Sequence, residues 1–525
     1  MEITTGLALL LAFFAGFAYF ARRFMGDLYL ERAIILGPLT GLIMGDLETG
    51  LVIGGTLELI FMGAVDIGGS VPPNLPIGST LGTAFAISAG LSTEEALLIA
   101  IPAALLGSFF ELLAKTISTV FVSGAERFAD DGNDRGVAAM VHLGNLAHFL
   151  AIAIPTFLAL SLGAEAVDSL SKAIPGSVQA GIRTVGSVLP ALGFGILLSM
   201  LAAPALLPWF FLGFALAAYA KFGVMGTAFV GIMAAAIYMM QTGGVKVVRD
   251  AEEAEEAVAT LVPAGEQRRI FWRSFALQSA FSFDRMQALG FTWTLMPFLK
   301  KLYGDSKEFG RALRRHLAFF NTHMWIPGPI FAMVADLEAR RAKNPEEVDE
   351  ASIQAVKGSL MGPLAGIGDS MFHGTLRPLA GGIAASLALQ HNPIAPLFFF
   401  FATNIVHVWV RWFSQSRGFR LGSRLFEQMD QEGLRRLMRG ATIAGLMGVG
   451  GLVGTWLNIT TPLTYTLQEA TVSIQAMLDS IMPKLLPLLT TLGVYWAVRR
   501  GYRTVTVMLV LAIGGFILGM LKILG

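Results

Sequence analysis

The chain has 525 residues, of which 54% are hydrophobic and 14% charged, and its mean hydropathy is +0.64. These values exclude a soluble globular chain and indicate a polytopic membrane protein. A formal net charge of +1 offers no basic field for nucleic acid, and the absence of cysteine excludes disulfides, thiol nucleophiles and thiolate zinc sites.

The first apolar run, Ile3 to Ala21, follows Glu2 and precedes Arg22 and Arg23. That is the reverse of a signal peptide, and it predicts a first transmembrane helix with its N-terminus outside and its arginines in the cytoplasm. Next comes GDLETGLVIGGTLELIFMGAVDIGGSVPPNLPIGST, which carries Asp46, Glu48, Glu58, Asp66 and Asn74 among glycines and prolines. Carboxylates and amides in fixed geometry are what hold vicinal hydroxyls. Asp46 and Glu48 read as loop residues. Glu58 and Asp66 lie in an apolar stretch, where a charge usually serves a partner, a cavity or a substrate; the competing reading of Glu58 is an ion pair that joins helices.

Uncharged runs long enough to span include Thr184 to Ala220, Phe222 to Val245, Pro378 to Val410, Gly440 to Gln468 and Thr504 to Leu521. Pro190, Pro204 and Pro208 break the first, and Pro393 and Pro396 break the third, so each is expected to be a helical hairpin or kinked pair. Between Lys246 and Arg273 the composition turns abruptly acidic and then basic, which marks a domain boundary. The expected organisation is residues 1–248, a cytoplasmic linker over 249–268, and residues 269–525. Lys300 to His316 and Arg411 to Arg439 read as basic amphipathic segments on the cytoplasmic side, and Arg499, Arg500 and Arg503 before the last run put the C-terminus outside.

In the second half, FWRSFALQSAFSFDRMQALGF holds Arg273, Gln278, Asp284, Arg285 and Gln287, and RRHLAFFNTHMWIPGPI holds His316, Asn321 and His323. The Asn-Thr-His run offers hydrogen bonds and a ring face to a sugar, or equally a helix cap before Pro327. GPLAGIGDSMFHGTLRP, residues 362–378, places Asp369, His373 and Arg377 among glycines whose density predicts a broken helix or re-entrant hairpin lining a cavity. Its GPL, GD and GTL elements follow the order of Gly37-Pro38-Leu39, Gly45-Asp46 and Gly55-Thr56-Leu57, which suggests two related halves and sets Glu58 opposite Arg377.

The histidines match no zinc-ligand spacing, and Walker A, GxGxxG and GxSxG motifs do not occur. No metal, cofactor or catalytic residue is expected, and the chain reads as one that binds or moves a molecule. An intramembrane hydrolase built on Asp369 and His373 would lack a nucleophile. The remaining class is a receptor without transport.

The segment from GPLTGLIMGDLETGLVIGGTLEL through AERFADDGNDRG to PWFFLGFALAAY resembles the IIC component of the mannose family of the bacterial sugar phosphotransferase system. The segment from FWRSFALQSAFSFDRMQALGF through RRHLAFFNTH and GPLAGIGDSMFHGTLRP to the end resembles the IID component. The resemblance implies an all-α polytopic membrane protein with two related helical halves, re-entrant hairpins and cytoplasmic amphipathic helices. It also implies a IIC–IID fusion in the lipid of the bacterial inner membrane, assembled as a homo-oligomer, with trimers suggested.

Its implied function is group translocation: a sugar binds between the halves and is phosphorylated by a separate IIB protein, recharged through IIA, HPr and enzyme I from phosphoenolpyruvate. The alternative is a sugar carrier of the same fold uncoupled from phosphotransfer. Carried over by motif, the sugar-binding residues are Glu58, Asp66, Asn74, Asn321, His323, Asp369, His373 and Arg377. His373 stands where relatives usually have tryptophan, and Met324-Trp325 follows His323 in place of proline and an aromatic residue, so the sugar is not assumed to be mannose or glucose.

Overall fold

The computed structural model describes residues 2–63, 72–173, 180–181, 184–185, 187–201, 204–243, 261–282, 284–346, 348–421, 431–467, 470–502 and 504–525. Asp66 lies outside them, as does the expected linker up to residue 260. Among the described residues four helices are long and apolar enough to cross a bilayer, and up to six if each bent pair counts as one span.

Helix α1, Thr5–Phe24, starts where the Thr4 hydroxyl accepts the Leu7 N–H at 3.3 Å, and ends in Arg22 and Arg23. It is followed by α2, Ala33–Ile43, α3, Leu47–Ile60, and α4, Leu75–Ala89. Asp46 and Asn74 cap α3 and α4, accepting the N–H groups of Thr49 and Ile77 at 3.0 and 3.2 Å. Helices α5, Thr93–Asp130, and α6, Asp134–Ala173, are the longest among the described residues. Helix α5 interrupts its apolar pattern with Glu94, Glu95, Glu111 and Lys115, whereas α6 carries no Asp, Glu, Lys or Arg from Gly136 to Gly163. The core of α5 can hold charge because Glu111, Lys115 and Arg23 neutralise one another at 3.1 and 3.3 Å in a buried cluster.

Helix α7, Pro190–Leu201, and α8, Leu207–Ala218, flank a break at Pro204, and α9, Val224–Gln241, follows. The second half opens with α10, Ala264–Ser274, and α11, Ala288–Tyr303. Gly304, with φ +61°, ends α11 before α12, Lys307–His316, so the basic segment expected over 300–316 divides into two helices. Helices α13, Gly328–Lys343, and α14, Glu350–Gly368, lead to the glycine-rich stretch.

That stretch does not break. The backbone stays helical through Asp369–Leu376 in π register, with the Arg377 N–H bonded to Phe372 O, and runs into α15, Arg377–Ala388. A wider turn absorbs the glycines and re-phases the side chains without exposing backbone groups. The motif it matches in the first half is interrupted at Gly45, φ +78°, between α2 and α3, so the two copies differ in local geometry.

Helix α16, Ile394–Leu421, follows the turn at Asn392 and Pro393, and α17, Gln431–Trp456, leads to a hairpin of β1, Thr464–Leu467, and β2, Ala470–Ser473. Within the expected apolar run to Gln468, Thr464–Leu467 is therefore strand rather than helix, and Gln468 itself lies outside the described residues. Last come α18, Ile474–Ile481, α19, Leu485–Arg499, and α20, Thr504–Met520.

The halves interlock. Helices α8 and α9 pack on α17, α3 packs on α15, and α2 on α16. A Cβ on Gly213 would lie 2.1 Å from Met447 O, and one on Gly450 would lie 2.1 Å from Phe210 O, so α8 and α17 touch backbone to backbone. One apolar core joins Ile34, Leu51 and Val122 to Phe291, Trp325 and Phe399; another joins Phe194 and Phe210 to Leu446 and Val453.

Candidate functional site

The loop between α1 and α2, residues 25–32, enters this shared core and carries Asp27, Tyr29, Glu31 and Arg32, all buried. Asp27 and Tyr29 take left-handed backbone, φ +60° and +58°. For a tyrosine this is a strained conformation that the surroundings must hold. Asn404 of α16 does so in part, donating from Nδ2 to Leu28 O at 3.0 Å. Arg32 grips Glu58 of α3, with Nε 3.0 Å and Nη2 2.5 Å from Oε1 and Nε 3.2 Å from Oε2.

His373, at the centre of the π segment, faces carboxylates on both sides. Its Nε2 lies 3.5 Å from Asp27 Oδ2, and its Nδ1 lies 3.5 Å from Asp369 Oδ1. The His323 ring stands 4.7 Å away, centroid to centroid. The loop bearing His323 is pinned by Gln287, whose amide donates to Thr322 O at 2.8 Å and accepts from Thr322 N at 3.0 Å. Gly368 leaves the space for the ring: a Cβ there would sit 2.1 Å from His323 Cγ.

His323, Asp369 and His373 offer ligand atoms within 4.8 Å of one another, a spacing that a cation could bridge. Tautomer chemistry opposes that use. His323 Nδ1 accepts the Trp325 N–H at 3.2 Å, which leaves the proton of the neutral ring on Nε2. A metal would need a lone pair there. A donor on His323 beside the acceptor oxygens of Asp369 suits a hydroxyl or a water better, since either both gives and takes hydrogen bonds.

Several buried polar atoms around this point have no hydrogen-bond partner among the described residues: Tyr29 Oη, Glu31 Oε2, His323 Nε2, Trp325 Nε1, His373 Nδ1 and Arg377 Nε. Buried polar groups are nearly always paired, so such a cluster marks a place for a polar ligand. Arg377 uses Nη2 to hold Met62 O at 2.9 Å, which ties the two halves beside the cluster. A cleft between the halves, lined by Arg22, Tyr29, Glu31, Asn74, His373 and Arg377, has about 30 Å³ of free volume. That is room for roughly two waters.

Of the residues expected to bind sugar, the fold thus brings Asn74, His373 and Arg377 to one cleft, with His323 and Asp369 around His373. Glu58 lies beside them, but its carboxylate is engaged by Arg32. Asn74 is engaged too, capping α4 and donating to Glu111 Oε2 at 3.3 Å. Asn321 sits half-buried in the loop preceding His323. Arg411, expected on a cytoplasmic amphipathic surface, is instead fully buried: Nη1 donates to Ser274 O at 2.8 Å, Nη2 donates to Met324 O, and Nε contacts His407 at 3.1 Å. Sequence reasoning missed Asp27, Tyr29, Glu31 and Arg32. Their signal was GDLYLER, a dense charged string between apolar runs, which reads as an ordinary juxtamembrane loop.

The family profile of the sorbose-specific IIC component of the phosphotransferase system matches residues 5–237, and that of the mannose/fructose/sorbose family IID component matches residues 262–524. The chain is 38% identical over 258 residues to the fructose permease IID component of Bacillus subtilis strain 168, covering 48% of this chain and 92% of that protein. It is 36% identical to the mannose-specific EIID component of Escherichia coli K12, covering 48% and 93%, and 32% identical to the EIIC component, covering 46% and 90%. Two solved chains are also similar. One is described as a membrane protein (34% identity, 50% of this chain, 99% of that chain, TM-score 0.48), and the other comes from the mannose transporter ManYZ in complex with microcin E492 (33%, 51%, 99%, 0.30). The chain therefore belongs to the mannose/fructose/sorbose family of the sugar phosphotransferase system, as a multi-pass permease that joins a IIC half and a IID half in one polypeptide.

Proposed function

We propose that this permease binds a hexose or related sugar between its halves and delivers it to a separate IIB protein for phosphorylation, with IIA recharging IIB. The observation that carries the reading is the cluster of unpartnered buried polar atoms at Tyr29, His323, His373 and Arg377, drawn from both halves. Asp369, Asn321 and, in the segment after α3, Asp66 complete the proposed sugar contacts, while Glu58 and Asn74 shape the cleft wall. A cleft with about 30 Å³ free does not admit a sugar, so loading requires the Pro72–Pro76 wall to part from the π segment, as in alternating access. Residues 249–268 act as a cytoplasmic linker between a IIC domain at 1–248 and a IID domain at 269–525, the termini lie outside, and the unit assembles as a trimer.

Membrane vesicles carrying the chain, supplied with purified IIA, IIB, HPr, enzyme I and phosphoenolpyruvate, test this over a panel of hexoses, amino sugars and polyols. Sugar phosphate accumulates inside for the true substrate, and His373→Ala and Arg377→Gln abolish it. Uptake of free sugar without phosphorylation would instead identify an uncoupled carrier, and no binding of any sugar would overturn the reading.

A further inference from the structure

Away from the cleft, a groove of about 390 Å³ runs between α10 and the last turns of α16. Its walls include Arg268, Phe271 and Trp272 from α10 and Trp412, Gln415 and Phe419 from α16. Helix α10 is amphipathic: Ile270, Phe271 and Ser274 are buried, and Arg268, Arg269 and Trp272 face outward. Trp272 is 67% exposed and Trp412 55%, and both lie near the polar end of the span Ile394–Arg420. Tryptophan beside arginine at a span's end is the pattern of the membrane–water boundary.

The floor of the groove adds a second observation. Gln415 is 4% exposed, and its Nε2 donates to Gln267 O at 2.8 Å, which fixes the orientation of the amide. Its Oε1 is then a buried acceptor with no partner among the described residues. Neighbouring cations are turned elsewhere: Arg269 pairs with Glu266 at 3.4 Å, and Arg417 lies over the Phe413 ring at 5.4 Å. Arg268 is the guanidinium that lines the groove.

We propose that this groove is a specific site for one membrane phospholipid, with its phosphate at Arg268, a headgroup donor on Gln415 Oε1 and an acyl chain against Trp272 and Trp412. The chemistry required is an anionic phosphate joined to a hydrogen-bond donor. Phosphatidylglycerol supplies hydroxyls and phosphatidylethanolamine an ammonium, whereas phosphatidylcholine supplies no donor. Such a lipid anchors α10, the first described helix of the second half, to the bilayer surface.

Native mass spectrometry of the full chain, delipidated in mild detergent and reloaded with each of these lipids in turn, tests the site. Phosphatidylglycerol or phosphatidylethanolamine is retained at one copy per chain and phosphatidylcholine is not; the better retained of the two identifies the donor. Arg268→Gln lowers retention about fivefold, the effect of one basic residue at a membrane surface, while Arg268→Lys retains most of it and both variants keep the parent melting temperature. Equal retention of phosphatidylcholine, or no effect of Arg268→Gln, overturns the proposal. So does a change in oligomer mass in Trp412→Ala without lipid loss, which would make the groove a contact between copies of this chain.

Discussion

Arg32 and Glu58 form a buried two-pronged ion pair, with the guanidinium Nη2 2.5 Å from Oε1 and neither side chain more than 4% exposed. The Ile34 N–H adds a further contact to Oε2 at 3.4 Å. Removing one partner leaves the other charge buried and unpaired, which costs about 3–5 kcal/mol. Glu58→Gln is therefore expected to lower the melting temperature in detergent together with sugar binding, and the double variant Arg32→Met/Glu58→Leu to recover stability. Loss of sugar binding at unchanged stability in Glu58→Gln would show instead that the carboxylate contacts sugar directly.

How far these features could be read in advance depended on range. Helix α1, the Pro393 turn and the uncharged α9 and α20 follow from local hydropathy. Helix α5 did not, because its buried Glu111 and Lys115 are joined by a residue distant in sequence, Arg23, which completes the cluster. His323, Asp369 and His373 stood out as polar groups in apolar surroundings. Tyr29 and Asp27 did not, because their loop turns inward through left-handed backbone that composition does not encode. The 362–378 stretch shows the same limit: glycine density predicts a break, but the π turn satisfies the backbone without one.

A pH response should come from a buried cluster around Glu338, on helices that are not among the candidate membrane spans. Glu338, fully buried on α13, accepts from Arg315 Nε at 2.7 Å, His316 Nε2 at 2.9 Å and Tyr303 Oη at 2.6 Å. Burial opposes its charge, but the His316 and Arg315 hydrogen bonds hold its carboxyl well below the usual range. Burial pushes the His316 imidazole down to about 4, against the pull of Glu338. Below pH 6.5 the unfolded chain thus takes up a proton that folded His316 refuses until about pH 4. Stability falls as pH drops through that window, by up to roughly 3 kcal/mol. Melting curves from pH 7 to pH 4.5 should show the decline, and His316→Gln should flatten it; an unchanged slope in that variant would assign the acid sensitivity elsewhere.

Gly368 faces His323 so closely that Gly368→Ala must displace the ring or the helix, since the new Cβ would meet Cγ at 2.1 Å and Nδ1 at 2.6 Å. The His323 loop is held by Gln287 and by Thr322 Oγ1 donating to Met361 O at 3.1 Å. A ring pushed out of place loses its aim before the loop unfolds. Sugar affinity should fall by about tenfold or more, as expected for a misplaced polar contact, with a loss of roughly 1–3 kcal/mol in stability. Calorimetry beside thermal melting separates the two, and retention of full affinity would place His323 outside the sugar contacts.

The contact between α8 and α17 should decide whether the halves hold together without their covalent link. Gly213 and Gly450 let the two backbones approach until an added Cβ would meet Met447 O and Phe210 O at 2.1 Å, and Gly454 adds a further close contact with Ala217 Cβ at 2.8 Å. In a bilayer, lipid tails are as apolar as the helices, so association rests on this close packing and on polar ties such as Arg377 to Met62 O. Expressed as separate chains, residues 1–248 and 249–525 should therefore copurify from membranes. Gly450→Leu inserts a branched side chain where backbone stands, and no rotamer change can remove that clash. The separate halves carrying it should come apart on affinity purification, whereas the fused chain, held by its linker, should still be recovered intact but with a lower melting temperature. Copurification undiminished by Gly450→Leu would shift the main holding force to the α3–α15 and α2–α16 contacts.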